Sequence, residues 1–178
     1  SIHEFDVVVL GAGPAGEVFA GYAADAGFRT AMVEQHLVAG ECSYYACMPS
    51  KALLRPAEVL DEARRMAGVR EAVTGGLDAG AVLARRDEVI HNLDDSAQLG
   101  WVESKGISLI RGTGVICGER EVRVDGDVLV AERAVAVATG SSASIPPIPG
   151  LGEVPIWNNR QGTTADHVPD SMIILGGG

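Results

Sequence analysis

Cys42 and Cys47 flank the tetrapeptide Ser43-Tyr44-Tyr45-Ala46, and Lys51 follows four positions after the second thiol. Residues five apart in an ideal α-helix have Cα atoms roughly 8–9 Å from each other. A disulfide tolerates about 7 Å at most. A bond between these two cysteines therefore requires a distorted helix start, and such a bond is more easily reduced than a structural one. A pair that opens and closes is a redox tool. The dipole of a helix start and a nearby cation both favour thiolate, and Lys51, one turn beyond Cys47, has the charge to do so. The plainer alternative is a pair of reduced core thiols. The polar neighbours Glu41, Ser43 and Lys51 count against it. Metal binding is the weaker option, because a second cysteine pair is missing and His3, His36, His91 and His167 are scattered. Cys117 stands in a strand-like run and reads as inert core.

Upstream, Gly11-x-Gly13-x-x-Gly16 lies between an apolar run, Phe5 to Leu10, and an alanine-rich stretch. Glu34 follows Gly16 by eighteen residues. That combination fits a dinucleotide fingerprint in the context it requires. Gly11 makes the tight turn, Gly13 lets a pyrophosphate reach the backbone, and Gly16 lets helix and strand pack closely. The helix N-terminus offers free N–H groups and partial positive charge to the phosphates. Glu34 is placed to accept hydrogen bonds from ribose hydroxyls. A glycine turn made for packing alone is the competing explanation.

These groups need a frame. The chain has 178 residues, 47% of them hydrophobic and 21% charged, which suits one folded domain, or one plus a fragment. A formal charge of -10 argues against nucleic acid or an anionic membrane surface as partner. No apolar run approaches the ~20 residues of a membrane span, and the start is no signal peptide, so a cytoplasmic location is expected. In that compartment a cysteine pair is more often catalytic or metal-binding than a staple.

Phe5–Leu10 reads as a buried parallel strand and the following helix runs to about Ala26, with Gly27 as its stop. Arg29–Val33 is a second strand. Ser50–Met66 is helical, with Pro56 a possible kink. One helix is expected over Gly80–Glu103 and a short strand over Ser108–Ile110. Thr113–Cys117, Glu121–Val124 and Val128–Val130 form an antiparallel meander around Gly118 and Asp125-Gly126-Asp127. Ala134–Ala138 is another buried strand, a proline-rich connection covers 145–150, and Met172–Leu175 runs as a strand into Gly176-Gly177-Gly178. That ending looks like the opening of a second nucleotide-binding unit, so the chain reads as truncated. The expected layout is a first domain over 1–150, a linker over 151–171 and the first strand of a further domain over 172–178.

Taken together, Gly11–Gly16, Glu34, Cys42-x4-Cys47-x-Pro49-Ser50-Lys51 and Ala138-Thr139-Gly140 resemble the FAD-binding part of the class I pyridine nucleotide–disulfide oxidoreductases. Dihydrolipoyl dehydrogenase, glutathione reductase and mercuric reductase are members. The resemblance covers essentially the whole chain. It implies an α/β, Rossmann-like FAD-binding domain with a parallel sheet and a three-stranded antiparallel meander. FAD would be held by Gly11, Gly13, Pro14, Ala15, Gly16, Glu34, Gln35, Gly40 and Glu41. Gly114, Val115, Ala138, Thr139, Gly140 and Ser141 would complete its site, together with Cys42, Cys47 and Lys51. Cys47 would face the flavin, Cys42 would meet the substrate, and Lys51 would sit near the reactive edge of the ring.

By the same resemblance, the partners are NAD or NADP, bound mostly beyond the chain end, and a small-molecule or protein disulfide or dithiol. The full-length protein would be a homodimer. This sequence departs from the family at Glu41, where a threonine is usual, and between the cysteines, where Val/Leu-Asn-Val-Gly is usual. A non-catalytic FAD-binding module with structural or regulatory cysteines is the alternative. A flavin oxidase or transhydrogenase is a third reading, against which the two cysteines count.

Overall fold

The computed structural model describes residues 1–176. At its centre is strand β1 (Ile2–Leu10), paired in parallel with β2 (Thr30–Glu34) on one side and β6 (Asp127–Val137) on the other. Strand β3 (Ser108–Arg111) extends the parallel part beyond β2. Beyond β6 the sheet turns antiparallel through β5 (Glu121–Val124) and β4 (Val115–Gly118), giving the order β3-β2-β1-β6-β5-β4. The expected parallel sheet and meander are both present. They share one strand: 128–130 and 134–138, anticipated as separate, fall on β6 except for Ala138, and a register shift between Phe5 and Val7 of β1 marks the join.

Side chains alternate across a strand, so β1 feeds both faces of the sheet. Val7 and Val9 pack with Met32, Ala20 and Ala23 of helix α1 (Pro14–Asp25) and Val102 of helix α5 (Ser96–Ser104). Val8 and Leu10 pack the other way, with Ala31, Val33, Val122, Val124 and Leu129. The meander thus covers the face that the helices do not. Burial of each valine, leucine or methionine side chain here contributes about 1.5–3 kcal/mol.

Helix α2 (Gly40–Tyr44) and helix α3 (Cys47–Arg65) follow β2, and α3 carries Pro56 in its interior. The single helix anticipated over 80–103 is two helices, α4 (Ala79–Val89) and α5. His91, Asn92 and Leu93 take φ values of 51°, 51° and 61° between them, a left-handed backbone that no α-helix continues. Asp94 Oδ1 then accepts from the N–H of Ser96 at 2.9 Å, a local bond that competes with the helical ladder.

Other expectations need correction. Cys117 is exposed and not core, because β4 is an edge strand paired only with β5. Met172–Leu175 join no strand among the described residues, and Ile173 is 90% exposed. A strand needs a neighbour to complete its ladder, and among the described residues none pairs with this segment. Gly177 and Gly178 lie outside the described residues. The segment 151–171 is more than a connection: it carries helix α6 (Asn159–Thr164), which packs on α3. No helix among the described residues is long and apolar enough to cross a membrane.

Candidate functional site

A cavity of about 350 Å³ opens where β1, β2 and β6 end. Its floor is the turn from β1 into α1. Gly11 has φ +96°, and a Cβ there would fall 2.3 Å from the carbonyl oxygen of Ala138. A Cβ on Gly16 would fall 1.9 Å from the carbonyl oxygen of Gly11. Both positions must be glycine for helix, turn and strand to meet. Gly13 differs, since a Cβ there meets nothing within 4 Å. It faces the open cavity, the place where a ligand can approach bare backbone. Gly13 also caps α1 without a side chain and Pro14 holds the first helical position, so the N–H groups of that turn point outward uncapped.

Glu34, at the end of β2, stabilises the turn from the side. One carboxylate oxygen accepts from the N–H of Ala12 at 2.8 Å and the other from the N–H of His36 at 2.7 Å. A carboxylate has about four lone-pair sites, so it keeps capacity for hydroxyls entering the cavity. Asp95 steadies the loop beyond: its Oδ2 accepts from the N–H of Val38 at 2.7 Å and from Arg111 at 2.6 Å. Arg111 also donates to the carbonyl of His36 at 2.7 Å. A Cβ on Gly114 would lie 2.6 Å from Leu10, so the opposite wall approaches β1 closely.

The cysteines stand on either side of a break in the chain. Cys42 is in α2 and Cys47 opens α3, while Tyr45 (φ -130°, ψ -6°) and Ala46 (φ -133°, ψ -90°) depart from helical geometry. The helical path between the two cysteines is thus broken, and both thiols are unbonded. Both are half-buried. The Cys42 thiol is pushed up, first by its interaction with the Cys47 thiol, then by burial and the negative charge of the Cys47 thiolate; Lys51 pulls it down. Interacting thiols lose their protons in two steps that belong to the pair and not to either residue. The start of α2 abuts the glycine turn, because a Cβ on Gly40 (φ +58°) would fall 2.8 Å from Gly13 Cα.

Of the residues expected at the site, Gly11, Gly13, Pro14, Ala15, Glu34, Gln35, Gly40, Glu41, Gly114, Ala138, Thr139, Gly140 and Ser141 line the cavity. Gly16 is buried behind it. Val115 lies on the exposed edge strand and is not part of the wall. Cys42, Cys47 and Lys51 are not in the wall either. Lys51 is exposed and borders a separate groove with Met48, Arg55, Glu58 and Arg85.

Sequence reasoning missed Arg160, Tyr45 and Thr113, all of which line the cavity. Arg160 donates from Nε to Glu41 at 2.6 Å and pairs with it again through Nη2. Its guanidinium lies 4.6 Å from the centre of the Tyr45 ring. The unusual glutamate at 41 was the available signal: an acid lining a nucleotide cavity calls for a cation, and Arg160 is that cation.

Residues 5–178 match the family described as pyridine nucleotide-disulphide oxidoreductase. Dihydrolipoyl dehydrogenase from Acholeplasma laidlawii is 32% identical over 98% of this chain and 53% of its own length. The enzyme of that name from Chlamydia trachomatis is 35% identical over 98% of this chain and 38% of its own. Mercuric reductase from Staphylococcus aureus is 28% identical, again over 98% of this chain. The chain thus spans about half or less of the length of these relatives. In fold, it is similar to the HOCl-induced flavoprotein disulfide reductase RclA from Escherichia coli, with a TM-score of 0.75 over 92% of this chain and 35% of that one, at 24% identity.

Proposed function

The chain belongs to the pyridine nucleotide-disulphide oxidoreductase family, and on that premise we propose that it supplies the FAD site and thiol couple of an NAD(P)-dependent flavoprotein disulfide oxidoreductase of the dihydrolipoyl dehydrogenase type. The observation that carries this reading is the contact between two local structures. A glycine turn with open backbone at Gly13 abuts, through Gly40, the short helix that bears Cys42.

In this reading the uncapped start of α1 and the backbone of Gly11–Gly16 hold the pyrophosphate. Glu34 accepts from ribose hydroxyls with its remaining lone pairs. Gln35 and Gly114 would face the adenine end of FAD, and Ala138–Ser141, where the chain leaves β6, would form a further wall. When bound, FAD supplies a two-electron carrier between a nicotinamide cofactor, NAD or NADP, and the thiols.

The chain's own residues handle sulfur and protons. Cys42, as thiolate, attacks a substrate disulfide; one S–S bond breaks, a mixed disulfide forms, and the first substrate thiolate leaves. Cys47 thiolate then attacks Cys42 Sγ, closing the Cys42–Cys47 bond and releasing the second thiolate. The Cys42 thiol is pushed up, so its attack as thiolate needs a base to take its proton. Lys51 contributes positive charge to the pair. The substrate is a small-molecule or protein disulfide or dithiol. The full-length protein is a homodimer in the cytoplasm.

Thiol counting under flavin spectroscopy tests this. The flavin-loaded protein should gain two alkylatable thiols on mild reduction and develop a long-wavelength charge-transfer band, both lost in Cys47→Ser. A count that does not change by two refutes the redox role and leaves a flavin-binding module.

A further inference from the structure

Glu41 and Arg160 lie 119 positions apart in sequence, and their contact joins two parts of the chain with no strand or long helix in common. Around them a small network closes on the break between the cysteines. The Tyr45 carbonyl, inside that break, accepts from Thr163 Oγ1 at 3.0 Å and Asn159 Nδ2 at 3.5 Å. Asn159 Nδ2 also donates to Glu41 at 3.0 Å. Arg160 both pairs with Glu41, the residue before Cys42, and stacks on the Tyr45 ring. Every one of these contacts comes from α6.

A six-residue helix is too short to be stable by itself, so something must anchor it. At its start Asn158 and Gln161 form a capping box. At its end the guanidinium of Arg86, only 1% exposed, donates to the carbonyl of Thr163 and, at 2.7 Å, to that of Ala165. The Nε of Arg86 is satisfied by Asp87 at 2.8 Å. A buried guanidinium is costly unless fully bonded. Here its bonds tie α6 to α4. The helix is thus anchored at one end and grips the cysteine segment with its side chains.

We propose that α6 is a positioning clasp for the Cys42–Cys47 couple: the Glu41–Arg160 pair, stacked on Tyr45, holds the break between the thiols in the shape from which they close to a disulfide. This rests on the thiol-couple reading above. Closure replaces two S–H bonds with one S–S bond, and two electrons and two protons pass to an external disulfide, which becomes a dithiol. A dithiol held in place has already lost the freedom that ring closure would take from it. Releasing the clasp returns that freedom to the dithiol and disfavours closure. An exposed ion pair alone is worth little. The stacking on Tyr45 and the bonds to its carbonyl are what couple this pair to the thiols.

The test equilibrates the flavin-loaded protein in graded mixtures of reduced and oxidised dithiothreitol, with each cysteine quantified by alkylation and peptide mass spectrometry. In Arg160→Ala and Glu41→Gln the equilibrium constant for closure should fall roughly fivefold, about 20 mV for a two-electron couple. Arg160→Lys, which keeps charge but not the planar fork, should recover part of the loss. The double variant Glu41→Gln/Arg160→Gln should fall no further than the worse single one, since the two act as a unit. Val102→Ala, a core cavity away from the clasp, should lower the melting temperature and leave the constant unchanged.

An unshifted constant in both Arg160→Ala and Glu41→Gln, with a normal two-thiol transition in the wild type, overturns the clasp alone. So does an equal shift in Val102→Ala. Should Arg160→Ala not fold, Arg160→Lys and Glu41→Gln decide the matter. Absence of a two-thiol transition in the wild type overturns the thiol-couple reading and the clasp with it.

Discussion

The Gly11–Gly16 turn owes its shape to side chains it lacks and to the strands beside it. The Cys42–Cys47 break owes its shape to side chains contributed more than a hundred residues later. In the turn, the N–H of Gly11 donates to Val33 at 2.8 Å, that of Ala138 to Leu10 at 2.8 Å, and any Cβ on Gly11 or Gly16 would strike backbone. In the break, Tyr45 and Ala46 leave helical geometry and are gripped by Asn159, Arg160 and Thr163. A site for a rigid cofactor is well served by the first kind of construction. The thiol couple proposed above is served by the second, because side-chain contacts can hold the break in shape where no strand ladder or glycine packing does.

The comparison breaks most readily at Gly16. Its Cβ would lie 1.9 Å from a backbone carbonyl that has no room to retreat, so Gly16→Ala should cost about 3 kcal/mol or more. Urea denaturation measures it; a midpoint within error of wild type would mean that the turn is not rigid. Gly11→Ala belongs to the same class, since its Cβ would meet Ala138 backbone at 2.3 Å, and any loss of flavin there is confounded with loss of fold. Gly13→Val separates the two effects. Its side chain enters open space, so stability should stay within about 1 kcal/mol of wild type. FAD affinity should drop by about tenfold or more, as the added groups occupy space a pyrophosphate needs at the backbone. Fluorescence titration of apoprotein with FAD checks this, and unchanged affinity would show that the turn serves packing only.

The difference also explains what was legible beforehand. Gly11, Gly13, Gly16 and Glu34 sit within one strand–helix–strand unit, so spacing alone conveys their geometry. The cysteine pair was legible as a pair, and the need for a distorted helix start followed from helix dimensions. Its surroundings were not legible, because nothing local to Asn159-Arg160 says that a helix forms there or that it folds back on Tyr45. Charge was the one available clue, in Glu41. The long β6 reads as two strands because Glu132-Arg133 interrupts its apolar pattern; Glu132 is exposed and pairs with Arg29 at 2.9 Å, so the interruption is a polar patch on one continuous strand. Cys117 was misread for the converse reason. Apolar residues on an edge strand look like core until the sheet order is known, and order depends on pairings that sequence spacing does not reveal.

The smallest expected effect lies at Lys51, and it sharpens the comparison by asking how far the thiol pair is tuned by a group outside the clasp. Lys51 is exposed, one turn into α3 from Cys47, and its charge opposes the three influences that push the Cys42 thiol up. An exposed charge acts weakly and is screened by salt. Lys51→Met keeps the apolar stem and removes the charge. Without it, the Cys42 titration should move further up, so alkylation of Cys42 at a fixed neutral pH should slow and the rate profile should shift toward higher pH. The shift should shrink as salt is raised, because in wild type the lysine's influence is already partly screened. Peptide-resolved alkylation across a pH series, at low and high salt, reads both effects separately for Cys42 and Cys47. A profile for Cys42 that does not move at low salt would place Lys51 outside the electrostatics of the pair. A shift that salt leaves unchanged would point instead to a packing change at the start of α3, where Met48 and Ala52 share the groove with this residue.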